Sequence, residues 1–153
     1  MILEYYSLPH GKHKPVRANP SDAGLDLRYN AEDEAANPQD IAFVSDNLAV
    51  ITFLAKTEAW VVNPEANNFE DFKIRELDLS AYAFNDGIPD AKNVEIINGR
   101  AFISMQQVDF DNGYKKEQAY VAVFDTNTWE EIDASPENDA VKAIALTIRN
   151  PLD

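Results

Sequence analysis

The sequence predicts an all-β protein built from antiparallel four-stranded meanders that resemble two β-propeller-type units, and three observations support this. Short runs rich in β-branched and aromatic residues recur along the chain, tight-turn residues separate them, and this order of runs and turns occurs twice. At 153 residues the chain has room for one domain with a hydrophobic core. We therefore expect an extended N-terminal segment (1–35) followed by a β-repeat region (36–153), with units at about 37–80 and 90–135.

The first unit has four predicted strands. The runs "IAFVS" (41–45) and "LAVITF" (48–53) meet at Asp46-Asn47 and predict a tight hairpin. "AWVVN" (59–63) ends before Pro64, and "FKIRELDL" (72–79) alternates well enough for a more exposed fourth strand. Together these runs predict a meander.

The second unit follows the same order. "NVEII" (93–97) and "RAFISM" (100–105) flank Asn98-Gly99, which is the strongest short-range hairpin signal because a type I′ turn needs positive φ at both central residues. After a longer polar loop come "AYVAVF" (119–124) and "WEEID" (129–133). A further short helix or strand is expected near "DAVKAIALTI" (139–148).

The segments "NPQDIAFVSDNLAVIT", "VVNPEA" and "DLSAYAFNDGIPDAKNVEIINGRAFISM" resemble bacterial β-propeller proteins of the YncE-like surface and periplasmic class. The resemblance covers about residues 37–150 and implies a binding or scaffold role without a fixed catalytic set, and a periplasmic or extracellular location. An antiparallel sandwich or barrel is the alternative fold. Propellers usually have about four to eight blades, so two units imply a fragment, covered sheet edges or self-association.

A second resemblance lies at the front of the chain. "LPHGKHKPVRANPSDAGLDLRYNAEDE" (8–34) resembles the opening of a dUTP pyrophosphatase, whose A-G-x-D-L motif matches residues 23–27. In that family the motif aspartate helps to place a magnesium ion through water, a role that would fall on Asp26. The "R-S-S" segment and the Gly-rich arm of the family are missing from this sequence. A magnesium-dependent nucleotide hydrolase is therefore the alternative to a non-catalytic module.

Composition narrows the classes of partner. A formal charge of -14 argues against nucleic acid, because affinity for it comes mostly from Lys and Arg that neutralise phosphates. No run approaches the ~18 apolar residues of a membrane span. The chain has no cysteine, which excludes disulfides, thiolate catalysis and sulfur-ligated zinc.

Two loops carry the candidate site residues. "FNDGIPDAKN" (84–93) joins the two units and offers Asp86, Asp90 and Asn93 to a protein or small-molecule ligand. The alternative is that these Asp, Asn, Gly and Pro residues only form turns. "DFDNG" (109–113) gives Asp109 and Asp111 the spacing that calcium or magnesium favours, with a solvated loop as the alternative. We expect no other cofactor, and a binding function through loops 84–93 and 107–118.

Overall fold

The computed structural model describes residues 36–109, 113, 115–116, 118–137 and 141–147. These residues form ten strands, one short helix and one 3-10 turn, which confirms the predicted all-β antiparallel class. The N-terminal segment 1–35, with its dUTP pyrophosphatase-like motif, lies outside the described residues.

The first sheet has the order β1-β2-β3-β4 and is a simple meander. Its strands are β1 (Pro38–Ser45), β2 (Leu48–Phe53), β3 (Glu58–Val62) and β4 (Lys73–Asp78). The predicted hairpin at Asp46-Asn47 is confirmed, but a register shift between Phe43 and Ser45 lies beside it. All four predicted strands of this unit are present, and their ends agree with the prediction to within one residue, except that β1 begins three residues earlier than predicted.

The second sheet has the order β10-β9-β6-β5. Its strands are β5 (Ala91–Ile97), β6 (Arg100–Met105), β9 (Tyr120–Asp125) and β10 (Ile144–Ala145), while β7 (Val108–Asp109) and β8 (Lys115–Lys116) form a separate small ladder. Asn98 and Gly99 have φ of 49° and 74°, as the predicted type I′ turn requires.

The predicted strand over 129–133 is wrong. Only Glu131 makes an isolated bridge to Phe124 of β9, with Ile132 N–H donating to Val123 O at 2.8 Å. Trp129, at a φ of 59°, turns the chain just before this point. At the other end of this edge, Tyr120 and Val121 of β9 pair with β10, so the element expected near 139–148 as a short helix or strand is a strand and completes the sheet.

The helix α1 (Phe69–Phe72) is a single turn in the connection between β3 and β4. Asn68 caps it, because its side-chain oxygen accepts a hydrogen bond from Asp71 N–H at 2.9 Å. Phe72 is buried against Trp60 and its neighbours on one face of the first sheet. In the described part of the chain, no helix is long and apolar enough to cross a membrane.

The main core lies between the two sheets. Apolar residues of both sheets meet there, among them Val50, Val61 and Leu77 of the first sheet and Ile103, Met105 and Phe124 of the second. Two polar bonds also join the sheets: Thr52 Oγ1 donates to Lys92 O at 2.8 Å, and Asp40 Oδ2 accepts from Val94 N–H at 3.0 Å. The first strands of the two sheets, β1 and β5, also contact each other across this interface.

Candidate binding cleft

The segment between β4 and β5 runs from one sheet to the other and forms one wall of the site. A 3-10 turn (Ser80–Tyr82) begins it, with Tyr82 N–H donating to Leu79 O at 2.9 Å. A second turn follows, in which Gly87 N–H donates to Phe84 O at 2.9 Å and Asp86 Oδ1 accepts from Ile88 N–H at 3.0 Å. Gly87 has a φ of 80°, a conformation that glycine adopts without strain. The segment is therefore held by its own turn chemistry.

Asp90 fastens this segment to the chain that follows β6. Its side chain is 2% exposed, and its Oδ2 accepts from Val108 N–H at 2.7 Å. Its backbone carbonyl accepts from Gln106 N–H at 3.1 Å. Burial, opposed by the bond from Val108 and assisted by the nearby Asp86, raises the pKa of Asp90 to about 6. Asp90 thus holds residues 106–108 from both ends.

Gln107 lies between these two anchor points and reaches the wall opposite. Its φ is 56°, and its side chain is buried. The side-chain amide donates to the backbone oxygen of Tyr82. The pair fixes the position of the 3-10 turn relative to the second sheet.

The side chain of Tyr82 is held in place through its hydroxyl group. Its hydroxyl donates to the Glu131 carboxylate and accepts from Ala143 N–H at 3.0 Å. Burial first, and then the Glu131 carboxylate, raise the pKa of Tyr82 above its ordinary value. The two hydrogen bonds hold the Tyr82 ring in place as a wall of the site. Because its hydroxyl stays protonated, Tyr82 is a poor acid catalyst.

These contacts leave an open cleft of about 200 Å³, here called the Tyr82 cleft. Its floor includes Tyr120, whose ring centroid lies 5.6 Å from that of Tyr82. Gln118 lies beside it, and its side-chain amide donates to Ala119 O at 3.1 Å and to Leu146 O. The lining combines aromatic rings, two carboxamides and small apolar groups: Ala81, Tyr82, Ala83, Phe84, Gln107, Gln118, Tyr120 and Val141.

The three residues predicted to bind a ligand are not in the lining of this cleft. Asp86 is partly buried in its turn, and Asp90 is buried behind the cleft, where it supports Gln107. Asn93 is exposed on β5, where its N–H donates to Ser104 Oγ at 3.3 Å. The structure therefore brings Asp86 and Asp90 close together and leaves Asn93 apart.

The predicted metal ligands stay a prediction. Asp26 and Asp111 lie outside the described residues, and Asp109 is described only through its backbone pairing with Lys115 in the small ladder. Across the described ranges, no three His, Asp or Glu side chains lie close enough together to hold a metal ion.

Sequence reasoning did not identify the polar residues of the cleft. Gln106-Gln107 directly follows β6, and an amide pair at the end of a buried strand is the one local signal that points there. The partner of Gln107 is Tyr82, 25 residues earlier, so the contact is set by the tertiary fold. No protein-family model matches this chain, and a search of curated proteins finds no significant relative.

Proposed function

We propose that this chain is a non-catalytic binding module, in which two stacked blade-like sheets present the Tyr82 cleft to a small uncharged group of a protein or small-molecule ligand. The observation that carries the proposal is the position of the cleft. It opens between the segment that joins the two sheets and the chain that follows β6, the two regions where the sequence predicts binding loops.

The lining determines which groups fit. The half-buried ring of Tyr120 offers a stacking surface beside the Tyr82 ring, which is 3% exposed, and the exposed carboxamide of Gln118 can form hydrogen bonds with a ligand. All eight lining residues are uncharged, so selectivity comes from stacking and hydrogen bonds and depends little on salt.

The size of the cleft sets the scale of the ligand. About 200 Å³ is below the ~300–1,000 Å³ of pockets that take drug-sized ligands. The cleft suits one aromatic side chain or one sugar ring. Because Gln107 and Tyr82 are held by bonds to the protein, little ordering accompanies binding, which favours measurable affinity from a small contact.

The test is a ligand-observed NMR screen of the full chain with uncharged fragments and capped aromatic amino acids. We expect hits whose binding is weakened about tenfold by Tyr120→Ala, since this change removes a stacking surface. Phe43→Ala is the control, because Phe43 is an exposed aromatic residue on β1 outside the cleft. Hits that bind Tyr120→Ala and the unchanged protein equally well, or no hits from a folded sample, would contradict the proposal.

The alternative of a magnesium-dependent dUTP hydrolase depends on residues 8–34, which lie outside the described residues. An assay of pyrophosphate release from dUTP with magnesium decides between the two functions. Turnover by the folded full chain that is lost in Asp26→Asn would overturn the non-catalytic assignment. A negative assay together with fragment binding would support it.

A further inference from the structure

The carboxamide of Gln118 is held at the edge of the Tyr82 cleft in a defined orientation. Its nitrogen, Nε2, donates to two backbone oxygens, those of Ala119 at 3.1 Å and of Leu146. A backbone oxygen can only accept a hydrogen bond, so the amino end of the carboxamide must lie toward these two atoms. The two N–H groups of the side chain are therefore matched by two oxygens of the protein itself.

The other end of this carboxamide is its oxygen, Oε1. Gln118 is exposed, and within the part of the chain that the structure describes no group donates to Oε1. An amide oxygen has two lone pairs and no proton. The polar group that Gln118 presents to a ligand is therefore a hydrogen-bond acceptor.

The other polar side chains of the cleft do not counter this bias. Gln107 is 3% exposed, and its amide donates to the backbone oxygen of Tyr82. The hydroxyl of Tyr82 donates to the Glu131 carboxylate. The hydroxyl of Tyr120 can donate or accept, so it does not discriminate between the two kinds of ligand. Selection between donors and acceptors is thus left to Gln118.

Gln118 and Tyr120 lie on the same side of the chain as it enters β9. Ala119 between them is fully buried, whereas both of its neighbours line the cleft. The pairing with the chain around β10 continues here, because Ala119 O accepts from Leu146 N–H at 2.9 Å. Positions two apart in an extended chain are separated by about 7 Å. A flat ring stacked on Tyr120 therefore brings a group on its edge close to the Gln118 carboxamide.

We propose that the Tyr82 cleft selects aromatic rings that carry an N–H or O–H donor on their edge, with Tyr120 as the stacking surface and Gln118 Oε1 as the acceptor. Because this selectivity concerns the same cleft, it rests on the proposed binding function. The carboxamide is already fixed by its bonds to Ala119 O and Leu146 O, so little side-chain ordering accompanies the new hydrogen bond. Gln118 is then the residue that determines specificity.

The first test compares indole with benzofuran in NMR titrations of the full chain. Benzofuran has the shape of indole with an oxygen in place of the N–H group, and the indole nitrogen can only donate. We expect indole to bind about three- to tenfold more tightly, which is the effect of one net hydrogen bond at a solvated position. Equal affinities, or tighter binding of benzofuran, overturn the proposal.

The second test removes the acceptor. Gln118→Leu should abolish the preference for indole and leave the affinity for benzofuran unchanged. The matched control is Gln39→Leu, because Gln39 on β1 also donates its amide to nearby oxygens, those of Asn37, and lies outside the cleft. This control should keep the preference. If Gln118→Leu weakens both ligands equally, Gln118 only supports the shape of the cleft, and the proposal is overturned.

The side-chain signals of Gln118 provide a readout in the unchanged sequence. In isotope-labelled protein, indole should shift the carboxamide carbon signal, while the Nε2 protons stay bonded to Ala119 O and Leu146 O and exchange slowly. Benzofuran should shift this carbon less. Nε2 protons that lose their protection when indole binds would show that the amide has turned over, which overturns the assigned acceptor.

Failure of the selectivity and failure of the proposed function give different results. If both ligands bind with equal affinity and Tyr120→Ala weakens both, the binding function stands and the donor selectivity alone is overturned. If neither ligand binds to a folded sample, both are overturned.

Discussion

Asp90 combines a buried carboxylate with two hydrogen bonds that hold the chain after β6 in place. Its Oδ2 accepts from Val108 N–H, and its backbone oxygen accepts from Gln106 N–H. Its φ of 55° lies in the left-handed region, which Asp and Asn tolerate better than most residues. A residue of this kind looks like a binding residue in the sequence and acts as a positioning residue in the fold.

The raised pKa of Asp90 predicts a specific dependence of stability on pH. The pKa is about 6 in the folded chain and about 3.9 in an unfolded one, so the folded state keeps its proton to a higher pH. The contribution of this group to the free energy of unfolding is therefore full below about pH 4 and is lost as the pH rises through about 6. Asp90→Asn removes the ionisable group, and with it this loss of stability, while its side-chain oxygen can still accept the hydrogen bond from Val108 N–H. We expect Asp90→Asn to gain stability relative to the unchanged chain between about pH 4.5 and about pH 7.5, measured by urea unfolding.

Comparing variant and unchanged chain at each pH removes the effects of other carboxylates. One of these is Asp78, whose pKa is lowered by hydrogen bonds from the side chain and backbone of Ser80 and which acts in the opposite direction. Asp90→Ala is the control, since it leaves Val108 N–H without its partner and should lose about 1–3 kcal/mol at every pH. A stability difference between Asp90→Asn and the unchanged chain that stays constant over this range would show that Asp90 does not titrate as described.

The two hairpins show how different local signals produce the same element. Asn98-Gly99 has positive φ at both positions, whereas Asp46 and Asn47 do not. The first hairpin instead has a register shift beside its turn and a bond from Ser45 Oγ to Asn47 Oδ1 at 2.8 Å. Only the second hairpin therefore depends on glycine.

Gly99→Ala should reduce the free energy of unfolding by about 1 kcal/mol, because an L side chain is strained at a φ of 74°. Steric overlap adds little, since a Cβ there would lie 3.8 Å from Thr126 Oγ1. Asn47→Ala is the matched control in the other turn and should have the smaller effect. Urea unfolding of both variants measures the difference, and equal losses would contradict this account of the turns.

The sequence predicts the elements that depend on neighbouring residues. Strands β1–β6 and β9 follow from apolar runs bounded by turn residues, and their ends agree to within two residues except at the start of β1, which lies three residues earlier than predicted. The strand-like composition of "WEEID" (129–133) predicts the fourth strand of the second sheet at the wrong place, because Trp129 takes a positive φ that the sequence does not indicate. The cleft was missed for a related reason: Gln107 and Tyr82 meet only after both sheets have formed.

At the scale of the whole molecule, the two sheets share one core and should unfold together. Ile103 in the second sheet is fully buried in the same cluster as Val50 and Val61 of the first. Ile103→Ala should therefore lower the free energy of unfolding by about 2–5 kcal/mol in both sheets alike. The chain has two tryptophans, so Trp129→Phe leaves Trp60 as a fluorescent reporter in the first sheet.

We expect the Trp60 fluorescence transition in urea to move by the same amount as the circular dichroism transition when Ile103→Ala is added to Trp129→Phe. Phe43→Ala, at an exposed position of β1, is the control and should move neither by more than about 0.5 kcal/mol. A Trp60 transition that stays in place while the circular dichroism signal shifts would mean that the sheets unfold separately.

The divided pairing along the β9 edge makes one stretch of the chain suitable for insertions. Between the Glu131 bridge and β10, the chain leaves the sheet and returns, and Ala134 N–H donates to Lys142 O at 2.9 Å where it does so. The two ends are already brought together, and the entropy of closing a loop grows only slowly with its length. A guest peptide or a reporter domain placed after Ser135 would be carried at the rim without entering either sheet.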